Sequence, residues 1–286
     1  MTVGIFKIVA ALAVPFVLGG CVAATDYASA DAGFANVSLK ASETTGKQTV
    51  WVQNRAEAQA ASARVKELMA RKTIDVETAV QVALLNNKGL QAAYADLGDS
   101  AADAWQSTML VNPTVGMGLT GIGTQGLEAY KAIEGVVATN VLALATHKRN
   151  VEIADANFRK AQLAAALKTL QVASDTRRAW ISTVAAWETV GQLGQAQAAA
   201  DAASELAQRL GEAGSLTKGG QAREHVFYAE LTGQTAKARL EARLAKEELT
   251  RLMGLWGDDL AYQIPNRLPQ LPKALVNRNM IEAEAL

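Results

Sequence analysis

The sequence predicts a mainly α-helical chain of long antiparallel coiled-coil helices with one β-hairpin of the transmembrane type. Two observations carry this prediction. Apolar residues recur at alternating steps of three and four along Val151–Leu252, and a short stretch with period two lies ahead of them. The first pattern lines one face of a helix, whereas the second places alternate residues on opposite faces of a strand. Few aromatic residues and abundant alanine also favour long helices over a globular core.

The apolar seam of Val151–Leu252 has two arms separated by a reversal. The first arm contains Leu193, Ala196, Ala200, Ala203, Ala207 and Leu210, and the second contains Tyr228, Leu231, Thr235, Ala238, Ala242, Ala245, Leu249 and Leu252. Because much of this seam is alanine, the two backbones can approach closely while burying little area per residue. We therefore expect the hairpin to be one stave of a larger helical wall.

Glycines mark the reversal between the arms. Glycine just past a helix end adopts the left-handed cap conformation that other residues resist. A serine or threonine before the second helix, Ser215 or Thr217, can then accept one of its free N–H groups. Two interpretations stay open: an ordinary antiparallel turn, or a tip that docks a partner protein. The residues of that candidate tip are Gly211, Gly214, Ser215, Leu216 and Thr217.

The composition leaves little room for site chemistry. The 28 basic and 28 acidic residues give a net charge of zero, which argues against a nucleic-acid or acidic-substrate partner. His147 and His225 lie far apart with no cysteine or paired carboxylate around them, so a metal site is not expected. The adjacent pairs Glu247-Glu248 and Asp258-Asp259 point apart on a helix and suit a solvated surface. No nucleophile or phosphate-loop motif is present, so we predict no enzyme and no cofactor.

Residues 1–20 are typical of a lipoprotein signal peptide. Lys7 supplies the positive charge, and the apolar run Ile8–Leu18 is too short to span a bilayer. The run ends in a sequence that resembles the lipobox of bacterial lipoproteins: Leu18, Gly19, Gly20 and Cys21. The resemblance implies cleavage before Cys21 and covalent lipid on it. The alternative is an ordinary cleaved signal followed by a chance cysteine.

Residues 21–49 are small, polar and aperiodic, which predicts a flexible, lipid-anchored tether. Val22 follows the cysteine where aspartate would imply retention in the inner membrane. By the same resemblance, the chain is expected in the outer membrane and extending into the periplasm.

Two helices are predicted next, at about 50–71 and about 73–110. The second carries Asp75 and Glu77 in its first turn, where negative charge is favourable, and ends before Asn112-Pro113. Its seam runs in unbroken steps of four and three: Val76, Val80, Ala83, Asn87, Leu90, Tyr94, Leu97, Ala101 and Ala104. Asn87 is its polar member, and a buried asparagine at such a position usually fixes register.

The stretch with period two predicts a hairpin of strands at about 113–123 and 131–141. Val115, Met117 and Leu119 share one face, with small or polar residues opposite, as in a strand of a transmembrane barrel. A soluble hairpin and a helix starting at Ile133 are the alternatives. Helices at about 146–211 and 220–254 then form the coiled-coil hairpin. A two-piece helix is thus expected beside a one-piece helix.

Five stretches, in this order, resemble motifs of the TolC-like outer-membrane efflux proteins. They are the opening helix Thr73–Asn87 with its asparagine pair, the strand entry Asn112-Pro113, the stretch Arg177-Arg178-Ala179-Trp180, the tip Ala213–Thr217, and the helix end Leu252-Met253-Gly254-Leu255. The resemblance implies that residues 50–272 form one repeat, which is half of a TolC-like α/β-barrel protomer. It also implies a trimer with a twelve-stranded barrel, used as the exit duct of tripartite pumps or type I secretion.

Two departures from the family pattern stand out. The usual acidic residue after the tip is replaced here by Gly219-Gly220, which leaves the residues of tip docking open. The family carries two repeats per chain, whereas residues 273–286 resemble only the start of a second repeat, so we expect a truncated or partial chain. Six copies would also supply twelve strands.

The leading hypothesis is a passive outer-membrane channel component. A periplasmic adaptor would contact the tip, an inner-membrane pump would supply the energy, and outer-membrane lipid would hold the anchor. The alternatives are the adaptor lipoprotein itself and a lipid-anchored coiled-coil spacer without a pore. An adaptor needs β-rich domains flanking its hairpin, and labelling the loop within 112–141 from outside the cell would separate a spacer from a channel.

Overall fold

The computed structural model describes residues 28–70, 73–110, 112, 114–120, 132–138 and 141–270. The predicted signal peptide and lipobox, including Cys21, and the predicted second repeat at 273–286 lie outside these residues. The described chain is mainly helical, as predicted. Its elements are α1 (Phe34–Thr45), α2 (Arg55–Met69), α3 (Val76–Asn86), α4 (Lys88–Thr108), β1 (Thr114–Thr120), β2 (Ala132–Ala138), α5 (Val141–Glu212), α6 (Lys218–Met253) and a 3-10 turn (Gly257–Ala261).

The chain divides into two compact units. One comprises Met1–Val37 and Tyr94–Ala165, and the other comprises Ser38–Ala93 and Ala166–Leu286. The second unit holds α2, α3, α6 and the reversal between α5 and α6, so it contains the candidate tip.

In the first unit, β1 and β2 pair antiparallel in a register from Thr114 opposite Ala138 to Thr120 opposite Ala132. Within the predicted strands at 113–123 and 131–141, the structure describes 114–120, 132–138 and Val141, and the other positions lie outside the described residues. Val141, expected on the second strand, is instead the first residue of α5. The run from Val141 to Ala145 consists of valine, leucine and alanine, and without a proline or glycine the helix extends back to it. Lipid exposure of this hairpin stays a prediction.

The predicted tether at 21–49 is wrong over Phe34–Thr45, which forms α1. The Asp31 carboxylate accepts the N–H groups of Gly33 and Ala35 and so caps the start of this helix. Val37 and Ala41 are fully buried, and the Phe34 ring packs edge-on against Tyr94 with centroids 4.6 Å apart. These apolar residues are spaced three and four apart, a signal too short to stand out among small polar neighbours.

Helix α2 corresponds to the helix predicted at 50–71. Asn54 accepts the N–H of Glu57 at 3.0 Å, and the Glu57 carboxylate accepts the N–H of Gln53 at 2.8 Å. This arrangement differs from a capping box in that the N–H bonded by the glutamate belongs to Gln53, one residue before the cap Asn54. Val65 is the buried residue of α2.

The single helix predicted at 73–110 is wrong, because the chain breaks into α3 and α4 at Asn87. Asn87 has extended backbone (φ −64°, ψ 119°). The predicted seam nevertheless continues across the break. Val76 and Asn87 are half-buried, and the other members are buried: Val80, Ala83, Leu90, Tyr94, Leu97, Ala101 and Ala104.

The two arms of the coiled-coil hairpin differ in how well the predicted seam matches burial. Every predicted position on α6 is buried or half-buried. On α5, Ala200 and Ala207 are buried, but Ala196 and Leu210 are exposed, which corrects the prediction for those two residues. Alanine also occupies neighbouring positions on this arm, so several faces are equally apolar and the spacing does not select one.

Candidate docking tip and helical joint

The reversal between α5 and α6 is a tight turn built from backbone hydrogen bonds. The carbonyl of Leu210 accepts the N–H groups of Ser215 at 2.8 Å and Leu216 at 3.2 Å, which closes the end of α5. Gly214 has φ +74°, the left-handed conformation expected of a glycine past a helix end. Thr217 caps α6, since its hydroxyl accepts the N–H of Gly220 at 3.2 Å. Of the two caps that the sequence allowed, Thr217 fills the role.

Gly211 allows a side chain of α6 to lie close to the backbone of α5 at the tip. A Cβ at this position would overlap the side chain of Gln221, whose amide donates to the carbonyl of Leu216 at 3.3 Å. Glycine at 211 therefore allows Gln221 to reach the turn and bond it.

The structure thus brings the five predicted tip residues into one turn. Gly214, Ser215 and Thr217 are exposed, while Gly211 and Leu216 are half-buried. The tip presents backbone and small polar groups to solvent, with the Leu216 side chain against the open face of Gly220. Because these five residues carry no charge, they suit contact with another protein better than capture of a charged small molecule.

A second cluster, which we call the joint, lies at the other end of α6. The Asn87 side chain accepts the N–H of Leu90 at 2.9 Å, so it caps α4, and its amide donates to the carbonyl of Leu252 at 2.8 Å. The amide of Asn86 donates to the carbonyls of Met253 and Gly254 at 3.1 and 2.7 Å. Two asparagines thereby satisfy three carbonyls at the end of α6 that the helix itself leaves free.

Gly254 completes the joint. Its φ is +65°, and its N–H and that of Leu255 donate to the carbonyls of Arg251 and Thr250, which is a Schellman cap. A Cβ on Gly254 would lie 2.5 Å from the carbonyl oxygen of Asn86. The asparagine pair and the Leu252–Leu255 stretch, noted separately in the sequence, are therefore two halves of one contact. The sequence indicated that Asn87 fixes register but gave no sign of its partner.

The stretch Arg177–Trp180 also packs onto the start of α3. The buried Trp180 indole donates to the carbonyl of Ile74 at 3.2 Å. Arg177 pairs with the Glu77 carboxylate at 2.8 Å, and Lys47 pairs with the same carboxylate at 2.9 Å. The hydrogen bond from Lys47, followed by the attraction of Arg177, holds the pKa of Glu77 below its ordinary value. Trp180 is thus a packing residue.

Two further searches concern the described residues alone. Among them, no group of three or more histidine, cysteine, aspartate or glutamate side chains is arranged to hold a metal ion. None of their helices combines the length and hydropathy needed to cross a membrane.

The fold resembles those of three crystal structures of membrane proteins. For the Campylobacter jejuni outer membrane channel CmeC, the identity is 15% and the TM-score 0.54, over 71% of this chain and 45% of that one. For CusC, whose structures concern folding and transmembrane channel formation, the identity is 15% and the TM-score 0.55, over 71% of this chain and 50% of that one. For a membrane protein from Pseudomonas aeruginosa, the identity is 16% and the TM-score 0.53, over 71% of this chain and 49% of that one.

The chain spans about half the length of each of these structures. No family model and no curated protein matches the sequence. The comparisons therefore support the fold relationship that the sequence resemblance implied, and the protein shares its helical fold with outer membrane channels.

Proposed function

We propose that this chain is a subunit of a TolC-like outer-membrane channel that acts as the passive exit duct of a tripartite efflux or type I secretion system. In this proposal Cys21 carries the lipid anchor, a periplasmic adaptor contacts the tip, and an inner-membrane pump supplies the energy. The fold shared with CmeC and CusC supports the channel class.

The observation that carries the proposal is a second heptad stripe on α6, which we call the outer stripe. Its members recur in steps of four and three on the face opposite the buried seam: Ala222, Val226, Ala229, Gly233, Ala236, Leu240 and Leu244. All seven are exposed, with Val226 at 65%, Leu240 at 57% and Leu244 at 61% of full exposure.

A helix with one apolar face packs against a helix on that side only. A helix with two opposite apolar faces can pack between two neighbouring helices and so form part of a continuous wall. The buried seam of α6 packs within the chain, so the outer stripe is free to pack on a neighbouring subunit. The small residues of the outer stripe permit the same close approach as the alanines of the buried seam. The neighbouring α5 carries small and apolar exposed residues as well: Ala199, Ala202 and Leu206.

The proposal is tested by changing one residue of the outer stripe. Leu240→Glu places a charge in the packing surface and is expected to convert oligomers of the detergent-extracted chain to monomers, measured by mass photometry. Arg239→Glu, one residue earlier and also exposed, changes the charge more but lies off the stripe and should leave the oligomers intact. If both variants or neither dissociate, the outer stripe is not the subunit contact and the proposal loses its main support.

A further inference from the structure

A polar groove lies beside the tip, between the last turns of α5 and the first turns of α6. Its volume is about 320 Å³, and it is lined by Ser204, Gln208, Lys218, Gln221, Ala222 and His225. We call it the tip groove. The lining contains the cationic Lys218, the imidazole of His225 and no carboxylate.

We propose that the tip groove docks a carboxylate side chain, glutamate or aspartate, of the partner protein that contacts the tip. This inference rests on the proposed docking role of the tip and adds the chemistry of the partner. Lys218 is exposed, and no carboxylate of the described residues forms an ion pair with it. An acidic side chain of the partner would supply the missing negative charge.

The acidic residues of the adjoining helix turns do not line the groove: Asp201, Glu205, Glu212 and Glu224. Glu205 pairs with Arg209 at 2.5 Å on α5. Glu212 accepts a hydrogen bond at 3.3 Å from the amide of Gln208, which lines the groove. Glu224 is half-buried and does not line the groove. The lining itself therefore carries the positive charge of Lys218 and no negative charge, although the whole chain is neutral.

The neutral residues of the groove suit the same ligand. Ser204 and His225 lie 3.4 Å apart across the two helices, so a hydroxyl and an imidazole can both face one bound group. The second amide hydrogen of Gln208 and of Gln221 is available in addition to the bonds to Glu212 and Leu216. A carboxylate has two oxygens and about four acceptor positions, which these donors can fill. Gly219 and Gly220, which follow Lys218, add no side-chain charge beside it.

The test uses the full chain in detergent and three fluorescent alanine-based helical peptides that differ only in residues on one face: glutamate, glutamine or lysine. Binding is measured by anisotropy at low salt. We expect the glutamate peptide to bind about fivefold more tightly than the glutamine peptide, the upper range for an exposed ion pair. The preference should fall at high salt, because exposed charges are screened.

Variants locate the effect. Lys218→Glu combined with His225→Glu should abolish the preference for the glutamate peptide and create one for the lysine peptide, an exchange that an unfolded protein could not show. Arg223→Glu is the matched control, since Arg223 lies on the same helix turns, is exposed and does not line the groove. It should retain the preference of the unchanged protein.

Equal binding of the three peptides, or a preference for lysine, would overturn the proposal. If the Arg223→Glu variant lost the preference for the glutamate peptide as fully as the double variant does, that would also overturn the proposal. The preference would then depend on the general charge at the tip. Failure here with intact oligomers would leave the channel proposal standing. A glutamate preference in a chain that never assembles would support the groove and count against the channel.

Discussion

The two ends of helix α6 differ in what bonds and covers their backbone. At the joint, the free carbonyls are bonded by Asn86 and Asn87, Met253 is fully buried, and a backbone oxygen lies against Gly254. At the tip, the turn is held by its own backbone, the Thr217 cap and the amide of Gln221, and most of its residues are exposed. The comparison teaches that the joint is fixed by contacts within the chain, whereas the tip keeps its surface for contacts with something else.

Glycine makes the difference most visible. Gly254 and Gly214 share nearly the same backbone conformation, with φ of +65° and +74°. A Cβ on Gly254 would meet the carbonyl of Asn86, while a Cβ on Gly214 would meet open space. Identical substitutions at the two positions therefore separate backbone strain from packing.

The largest effect is expected for Gly254→Ala. It combines the left-handed conformation with the clash, and we expect a loss of about 3 kcal/mol in the free energy of unfolding. Gly214→Ala carries the conformational cost alone, about 1 kcal/mol. Urea denaturation of the full chain in detergent, followed by circular dichroism of its helices, measures both. Equal losses would mean that the joint is no more tightly packed than the tip.

The caps give a smaller contrast. Asn87→Ala removes the cap of α4 and the bond to Leu252, and we expect a loss of about 2 kcal/mol. Thr217→Ala removes a single exposed cap and should cost about 1 kcal/mol or less. The same denaturation experiment compares them, and a Thr217 variant as unstable as the Asn87 variant would contradict the account.

Trp180 tests the packing between α5 and the start of α3. Trp180→Phe keeps an aromatic ring but leaves the buried carbonyl of Ile74 without the indole donor, which should cost about 1 kcal/mol. Trp187→Phe, on the same helix two turns later and half-buried, is the control and should cost less. A reversed order would show that the hydrogen bond to Ile74 adds nothing.

The smallest effect concerns the ion pairs of Glu77. Its pKa is lowered in the folded protein, so the pairs with Lys47 and Arg177 stabilise the fold above the ordinary carboxyl pKa of 4.5 and are lost as the pH falls through the folded value. Glu77→Gln should therefore reduce stability slightly at neutral pH and leave it nearly unchanged at strongly acidic pH. Because Glu77 is half exposed, solvent screens much of this term. A difference that persists in acid would assign it to something other than charge.

The sequence predicted the parts of the fold that depend on repeated contrast between apolar and polar residues. The buried seams of α3, α4 and α6 were predicted in this way. The place of Asn87 as the polar member of its seam was also predicted in this way. The break at Asn87 was missed because the seam keeps its phase across it and no proline marks it. On α5 the apolar face is ambiguous where alanine fills neighbouring positions, as at Ala199 and Ala200.

The tip residues were predicted from glycine and cap spacing, but Thr217 rather than Ser215 could be chosen only from the backbone. The tip groove was missed entirely. Its donors come from two helices, and His225 in the sequence suggested only a metal ligand without partners. The joint likewise joins residues far apart in the chain, and no local pattern connects Asn86 to Gly254.

The central claim is that copies of this chain assemble side by side into a duct. The most direct test is negative-stain microscopy of the detergent-extracted membrane fraction from cells that express the whole chain. We expect ring- or tube-shaped particles, lost in the Leu240→Glu variant and kept in the Arg239→Glu variant. Monomeric particles from the unchanged protein would contradict the claim that this chain by itself builds the channel wall.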